Sequence, residues 1–182
     1  MLTPARQGSL SDMLPDILGP GLRILFCGTA AGTVSARRGH YYAGPGNRFW
    51  PMLAETGLTP RLLRPEEDRL MPGFGLGLTD LAKTAAGMDH QIPAAAYAPE
   101  RLAEVIRDRQ PKFVAFTSLT AARKALAQKT IGAGRLPPDP DRDLRFPGVV
   151  FYALPSPSGA ARATFDPAPW QALADDMKGR TR

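Results

Sequence analysis

Cysteine and histidine are scarce in this chain, and their scarcity excludes several kinds of site. Cys27 is the single cysteine, so the chain can form neither an internal disulfide nor a cysteine-built zinc or iron–sulfur cluster. The two histidines and the acidic residues show no metal-ligand spacing, so the sequence predicts no metal and no cofactor. A lone reduced cysteine fits the cytoplasm.

Long apolar runs are also absent. Residues 1–12 lack the apolar segment of a signal peptide. No stretch reaches the roughly 20 apolar residues that a membrane helix needs. We therefore expect no association with a membrane.

Basic residues outnumber acidic ones, 23 to 17, which gives the chain a formal net charge of +6. A basic balance favours an anionic partner, and nucleic acid is the commonest one. The length of 182 residues and a hydrophobic content of 43% predict one globular domain, which we expect to be monomeric.

Short apolar strands alternate with helices along the chain. The sequence predicts strands at residues 22–28, 113–116 and 149–154, and helices at 47–55, 99–110, 119–129 and 170–178. Residues 59–77 and 132–147 look irregular, and 78–81 form a short apolar element. This order predicts α/β layers around a parallel sheet, with residues 1–19 as an N-terminal arm and 20–182 as a single domain. Ligands of such sheets bind at the carboxyl ends of strands, which puts the expected site between the loops at 28–32 and 155–159.

The first candidate motif is a small-residue turn at 29–32, directly after the first strand. Gly28 and Gly32 let the backbone turn sharply and approach a ligand closely. Taken alone, a plain strand-to-helix turn explains these residues. The turn matches neither the P-loop nor the dinucleotide fingerprint, so binding of a small nucleotide is the least favoured interpretation.

The second motif, residues 40–50, places aromatic and basic residues in a Gly/Pro-rich loop. This composition suits base stacking beside phosphate contacts. We interpret Phe49 and Trp50 as core residues and Tyr42 as a pocket residue. Asn47 can cap the helix that follows.

The third motif, residues 154–162, is a loop stiffened by two prolines. Ser156 and Ser158 can hydrogen-bond phosphates, and Arg162 can hold a phosphate or enter a duplex. In isolation these residues form an ordinary Ser/Pro loop.

The order and spacing of the three motifs resemble the uracil-DNA glycosylase superfamily, nearest its mismatch-specific uracil/thymine branch. The most specific part is the pair formed by residues 25–28 and 43–50, and residues 154–159 match the family's last motif. The resemblance runs from about Leu14 to the final helix. It implies a three-layer α/β/α sandwich with a central, mostly parallel sheet, and hydrolysis of the N-glycosidic bond of uracil flipped out of DNA. Such a protein would work at the bacterial nucleoid.

The resemblance also implies residue roles. The base pocket is expected to comprise Gly28, Thr29, Ala30, Tyr42, Asn47 and Ser156, with the tyrosine stacking on the base. The residues expected to contact DNA are Arg37, Arg38, Ser158, Gly159 and Arg162. Because Ala160 is too small to fill the vacated stack, Arg162 is the candidate wedge.

Two positions depart from the family pattern. Ala30 and Ser156 stand where the family usually has asparagines, and a methyl group cannot orient the attacking water. A carboxylate near the sugar can take over this work. Asp80 is the first candidate, although a capping role explains it equally well.

Histidine offers further candidates. His40 can polarise a base oxygen or hold a phosphate, and simple exposure explains it equally. Asp89 and His90 form a weaker acid/base pair or are turn residues.

Three activities remain open at this stage. No lysine lies in the three motifs, so hydrolysis by water, and hence a monofunctional uracil-DNA glycosylase, is favoured over Schiff-base chemistry. A glycosylase for hypoxanthine or mismatched thymine is the second hypothesis. A non-catalytic binder of DNA lesions is the third.

Overall fold

The computed structural model describes residues 12–179. Its strands are β1 (Ile24–Ala31), β2 (Leu76–Ala86), β3 (Phe113–Phe116), β4 (Gly134–Arg135) and β5 (Val150–Ala153). Its α-helices are α1 (Thr33–Arg38), α2 (Phe49–Glu55), α3 (Pro99–Arg109), α4 (Leu119–Leu126), α5 (Pro140–Arg145) and α6 (Ala168–Met177). Short 3-10 helices span Pro65–Phe74, Asp89–Gln91, Ala94–Ala96 and Gly159–Thr164.

The strands form one sheet in the order β2-β1-β3-β5-β4. The neighbours β2–β1, β1–β3 and β3–β5 are parallel, and the two-residue β4 is antiparallel to β5. The carboxyl ends of β1, β2, β3 and β5 therefore meet at one edge of the sheet, where parallel sheets bind their ligands.

Apolar side chains cover both faces of this sheet. On one face, strand residues such as Phe26 pack with Phe49 and Trp50 of α2 and Trp170 of α6. On the other face, residues such as Phe116 pack with α3 and α4. These helical layers on a mostly parallel sheet confirm the predicted α/β/α sandwich.

Local sequence explains where α3 and α4 begin and end. Pro99 occupies the first turn of α3, where its missing N–H is harmless, and Leu102, Ala103 and Ile106 form its buried face. The side chain of Ser118 accepts a hydrogen bond from the Ala121 N–H and so caps α4.

Several predicted element boundaries were wrong. β1 continues through residues 29–31, predicted as a turn, because β2 is long enough to pair with it up to a bulge between Ala30 and Ala31. The predicted short element at 78–81 is the middle of β2, whose first eight residues are all buried and therefore show no alternation.

Other corrections concern segments predicted to be irregular. Residues 65–74 form a 3-10 helix, and residues 33–38, for which the sequence predicted no regular element, form α1. The predicted loop at 132–147 contains β4 and α5, and Asp139 caps α5 by accepting from the Arg142 N–H.

The segment just before β1 lies against the sheet edge. Leu14 is buried, and Ile17 exchanges two backbone hydrogen bonds of 2.9 Å with Leu78 of β2. This segment is the described part of the predicted arm, and residues 1–11 of that arm lie outside the described range.

Candidate functional site

A cavity of about 630 Å³ opens at the carboxyl edge of the sheet. It is lined by the ends of β1, β2 and β3, the loop before α2, and the loop after β5. Nine residues predicted for the site line it together: Gly28, Thr29, Ala30, Tyr42, Asn47, Asp80, Ser156, Ser158 and Gly159. The structure thus brings all three sequence motifs to one cavity.

Gly28 is the point on which the polar groups of this cavity converge. A Cβ built on Gly28 would lie 2.6 Å from Asp80 Oδ1, 3.4 Å from Thr117 Oγ1 and 3.5 Å from the Tyr42 hydroxyl. Gly28 and Asp80 are register partners on neighbouring strands. The absence of a side chain at Gly28 therefore makes room for the Asp80 carboxylate.

Asp80 is 4% exposed and lines the cavity. Burial raises the pKa of Asp80 to about 6, although the positive charges of Lys83 and Arg101 oppose the rise. Among residues 12–179, no hydrogen bond contributes to the pKa of its carboxylate. The carboxylate is thus placed to act on a bound molecule.

A buried ionic network lies behind Asp80. Asp16 accepts from Lys83 at 2.8 Å and from Arg101 at 2.7 Å, and also from the Thr79 hydroxyl at 2.6 Å. Arg101 in turn donates to the backbone carbonyl of Asp80 at 2.8 Å. The network thereby fixes the strand position from which Asp80 projects.

Tyr42 is held in an unusual backbone conformation with φ of 52°. Its ring stacks on Phe49 with centroids 3.8 Å apart, and its hydroxyl lies 3.0 Å from Thr117 Oγ1. Burial and the charge of Asp80 raise the pKa of Tyr42 well above its usual value, so the hydroxyl stays protonated. The ring is therefore a fixed, neutral wall of the cavity.

The second and third motifs are tied to each other. The Arg48 N–H donates to the Pro157 carbonyl at 2.7 Å, and a Cβ on Gly159 would lie 2.5 Å from the Pro45 carbonyl oxygen. Asn47 Oδ1 accepts from the Phe49 N–H at 2.9 Å, and Asn47 lines the cavity, where its amide NH₂ can donate to a bound molecule.

Three predicted site residues, His40, Arg37 and Arg38, do not line the cavity. His40 Nδ1 lies 3.2 Å from the buried carboxylate of Asp68, so the structure does not support the catalytic role predicted for His40. Arg38 bonds the Ala43 carbonyl and pairs with Glu66, while Arg37 is exposed.

Arg162 also lies outside the cavity lining, on the exposed surface of the last 3-10 helix. Contact of Arg37, Arg38 and Arg162 with phosphates stays a prediction. Asp89 and His90, the weaker predicted pair, do line the cavity, and Thr29 donates to Asp89 at 2.6 Å.

Thr117 is a cavity residue that none of the three motifs predicted. It follows β3 directly, it is buried, and its hydroxyl meets Tyr42 near Gly28. The rule that sites gather at the carboxyl ends of parallel strands could have found it.

Residues 12–179 contain neither a metal-binding cluster nor a membrane-spanning helix. No group of three or more His, Cys, Asp or Glu side chains there could hold a metal ion. No helix in that range has the length and apolar character to cross a membrane.

Fold and cavity together define an α/β protein with a site at the carboxyl edge of a parallel sheet. The model of the uracil DNA glycosylase superfamily matches residues 15–178, so the chain belongs to that superfamily, a family of DNA glycosylases.

The fold is similar to a solution NMR structure from Methanosarcina acetivorans, itself provisionally assigned as a uracil DNA glycosylase. The TM-score is 0.65 at 20% sequence identity, over 91% of this chain and 96% of the other. At this identity the likeness shows the fold alone.

Proposed function

We propose that the protein is a monofunctional uracil-DNA glycosylase of the mismatch-specific branch, and that Asp80 is its catalytic carboxylate. The observation that carries the proposal is the Asp80 carboxylate itself: it is buried, no hydrogen bond from residues 12–179 contributes to its pKa, and it lines a cavity of about 630 Å³. Membership of the superfamily supplies the reaction class.

The reaction breaks the bond between the sugar C1′ and the base nitrogen, and the electron pair leaves with the base. Positive charge then develops on the sugar, which an ionised carboxylate stabilises electrostatically. Water adds its oxygen to C1′, and Asp80 accepts the proton that the water loses. Asp80 therefore takes over the work that Ala30 cannot do.

The anionic base needs hydrogen-bond donors. The Asn47 amide and the Ser156 hydroxyl line the cavity, and each already accepts from a backbone N–H, of Phe49 and Ser158 respectively. Their own N–H and O–H groups remain to donate to base oxygens. The fixed Tyr42 ring offers a wall for stacking.

The test is release of free uracil from a uracil-containing oligonucleotide, measured by mass spectrometry. We expect Asp80→Asn to slow release by about 100-fold or more while binding to a stable abasic-site analogue persists. Asp108→Asn is the matched control, because the Asp108 side chain is 73% exposed and lies outside the cavity lining, and it should retain release within a few-fold. Near-normal release by Asp80→Asn would remove the role proposed for Asp80.

A different lesion is the second candidate, because Ala30 and Ser156 are smaller than the family's asparagines and line the cavity. A panel of duplexes containing hypoxanthine or mismatched thymine separates this candidate from uracil. Salt-sensitive binding to lesions without release of any base would instead indicate a non-catalytic lesion binder.

A further inference from the structure

Met88 is an exposed apolar residue at the mouth of the cavity. The large apolar side chains that are exposed among residues 12–179 are Met13, Leu62, Leu70, Met88 and Leu144. Single exposed apolar residues are ordinary on protein surfaces. Met88 is 56% exposed, and it differs from the other four because it lines the cavity.

The backbone that carries Met88 is held in place. The Gly87 N–H donates to the Ala31 carbonyl of β1 at 2.9 Å, and the Met88 N–H donates to Gln91 Oε1 at 2.8 Å. The next residue, Asp89, accepts from Thr29 of β1 at 2.6 Å. Met88 is therefore presented from an ordered turn, which lowers the entropy lost when a partner covers it.

The loop after β5 supplies no large apolar side chain to the same cavity. Its contribution consists of serines, a proline and the small residues Gly159, Ala160 and Ala161, while the exposed Arg162 is not part of the lining. A nucleotide that leaves a duplex for a protein pocket leaves a gap in the base stack, and proteins fill such gaps with apolar wedges. A methyl group is too small to fill it.

We infer that Met88 enters the base stack of duplex DNA beside the extruded nucleotide and fills the gap that this nucleotide leaves. This inference rests on the proposed base extrusion. Methionine suits the task because its unbranched thioether side chain adapts to irregular gaps. A single strand has no paired stack to fill, so Met88 matters for duplex substrates alone.

The test compares kcat/KM for uracil release from single-stranded and duplex oligonucleotides of one sequence. We expect Met88→Ala to lower the duplex value by about tenfold and leave the single-strand value within twofold, and Met88→Leu to restore the duplex value. Leu62→Ala is the matched control, because Leu62 is 58% exposed and lies outside the cavity lining. It should match the wild type on both substrates.

A second readout does not need base release. The base analogue 2-aminopurine, placed next to a 2′-fluoro-deoxyuridine that resists hydrolysis in a duplex, gains fluorescence when that neighbouring base leaves the stack. The wild type should raise this signal, and Met88→Ala should bind without raising it.

Two results would overturn the inference: equal activity of Met88→Ala and wild type on duplex DNA, or an equal loss on both substrates. Loss of the duplex preference in Arg162→Ala but not in Met88→Ala would assign the wedge to Arg162 instead. A wild-type protein that releases no uracil from either substrate contradicts the proposed function, whereas normal wild-type release with an unaffected Met88→Ala contradicts the wedge alone.

Discussion

Asp80 carries its carboxylate where ionisation is unfavourable, and this links activity to pH. Burial raises its pKa to about 6, and the proposed mechanism needs the ionised form. We therefore expect the single-turnover rate of base release to fall as the pH drops through about 6. A pH–rate profile between pH 4.5 and 8 checks this, and an unchanged rate down to pH 5 would contradict it.

The same pKa shift makes the protein less stable in the pH range where it is more active. Between the usual aspartate pKa of 3.8 and about 6, the folded chain binds a proton that the unfolded chain has lost. The free energy of unfolding therefore falls as the pH rises through this window. At pH 7 the free energy of unfolding of Asp80→Asn, measured by urea unfolding, should exceed that of the wild type by on the order of 3 kcal/mol at most. This difference should vanish below about pH 4.

A substitution at Gly28 tests how closely the Asp80 carboxylate approaches the backbone of β1. Gly28→Ala puts a Cβ 2.6 Å from Asp80 Oδ1, so the carboxylate must move. We expect base release to slow by about 100-fold, because a displacement of about 1 Å at a catalytic group has effects of that size. Gly32→Ala is the control, since Gly32 also lines the cavity but a Cβ there meets nothing within 4 Å. Equal activity of the two variants would contradict this geometry.

The cavity residues themselves were largely predictable from sequence. Gly28, Tyr42 and Ser156 lie in recognisable motifs at strand ends, and they do share one cavity. The pairing of His40 with Asp68 could not be predicted, because Asp68 lies in a segment whose sequence showed no regular pattern.

The contact between the N-terminal segment and β2 joins two elements through buried charge. Asp16 is the shared acceptor of Lys83 and Arg101, and the Lys83 side chain is only 4% exposed. Burial raises the pKa of Asp16, but Lys83, Thr79 and Arg101 together lower it below its usual value. The ionised carboxylate therefore stabilises the fold above the unfolded pKa of 3.8, and this contribution is lost at lower pH.

Removal of this charge should destabilise the protein. Asp16→Asn leaves the buried Lys83 and the partly exposed Arg101 without their carboxylate partner, which costs about 2 kcal/mol at pH 7. Urea unfolding measures the change. Asp108→Asn is the matched control, because the Asp108 side chain is 73% exposed and its pair with Arg109 contributes little. Equal stability of the two variants would show that the network does not hold β2.

Element boundaries were harder to predict than the elements. The sequence predicted only residues 78–81 of the 11-residue strand β2, because a strand buried on both faces shows no alternation of polar and apolar residues. The 3-10 helix at Pro65–Phe74 escaped prediction because Pro72 lies inside it and it buries only Asp68 and Met71, too few residues to show a period. The partnership of Asp16 with β2 is a tertiary contact that no local pattern encodes.

For the molecule as a whole, alternating strands and helices were enough to predict the layers and the edge of the sheet that holds the site. The strand order β2-β1-β3-β5-β4 was not predicted, because it depends on long-range pairing. The family match over residues 15–178 agrees with a fold in which a segment before β1 packs on the sheet.

A crystal structure of Asp80→Asn bound to a uracil-containing duplex tests most directly whether this cavity receives an extruded base. We expect uracil outside the helix, beside the Tyr42 ring and Ala30, with the sugar C1′ facing residue 80. A uracil still stacked in the duplex, or DNA bound on another face with the cavity empty, would contradict the account.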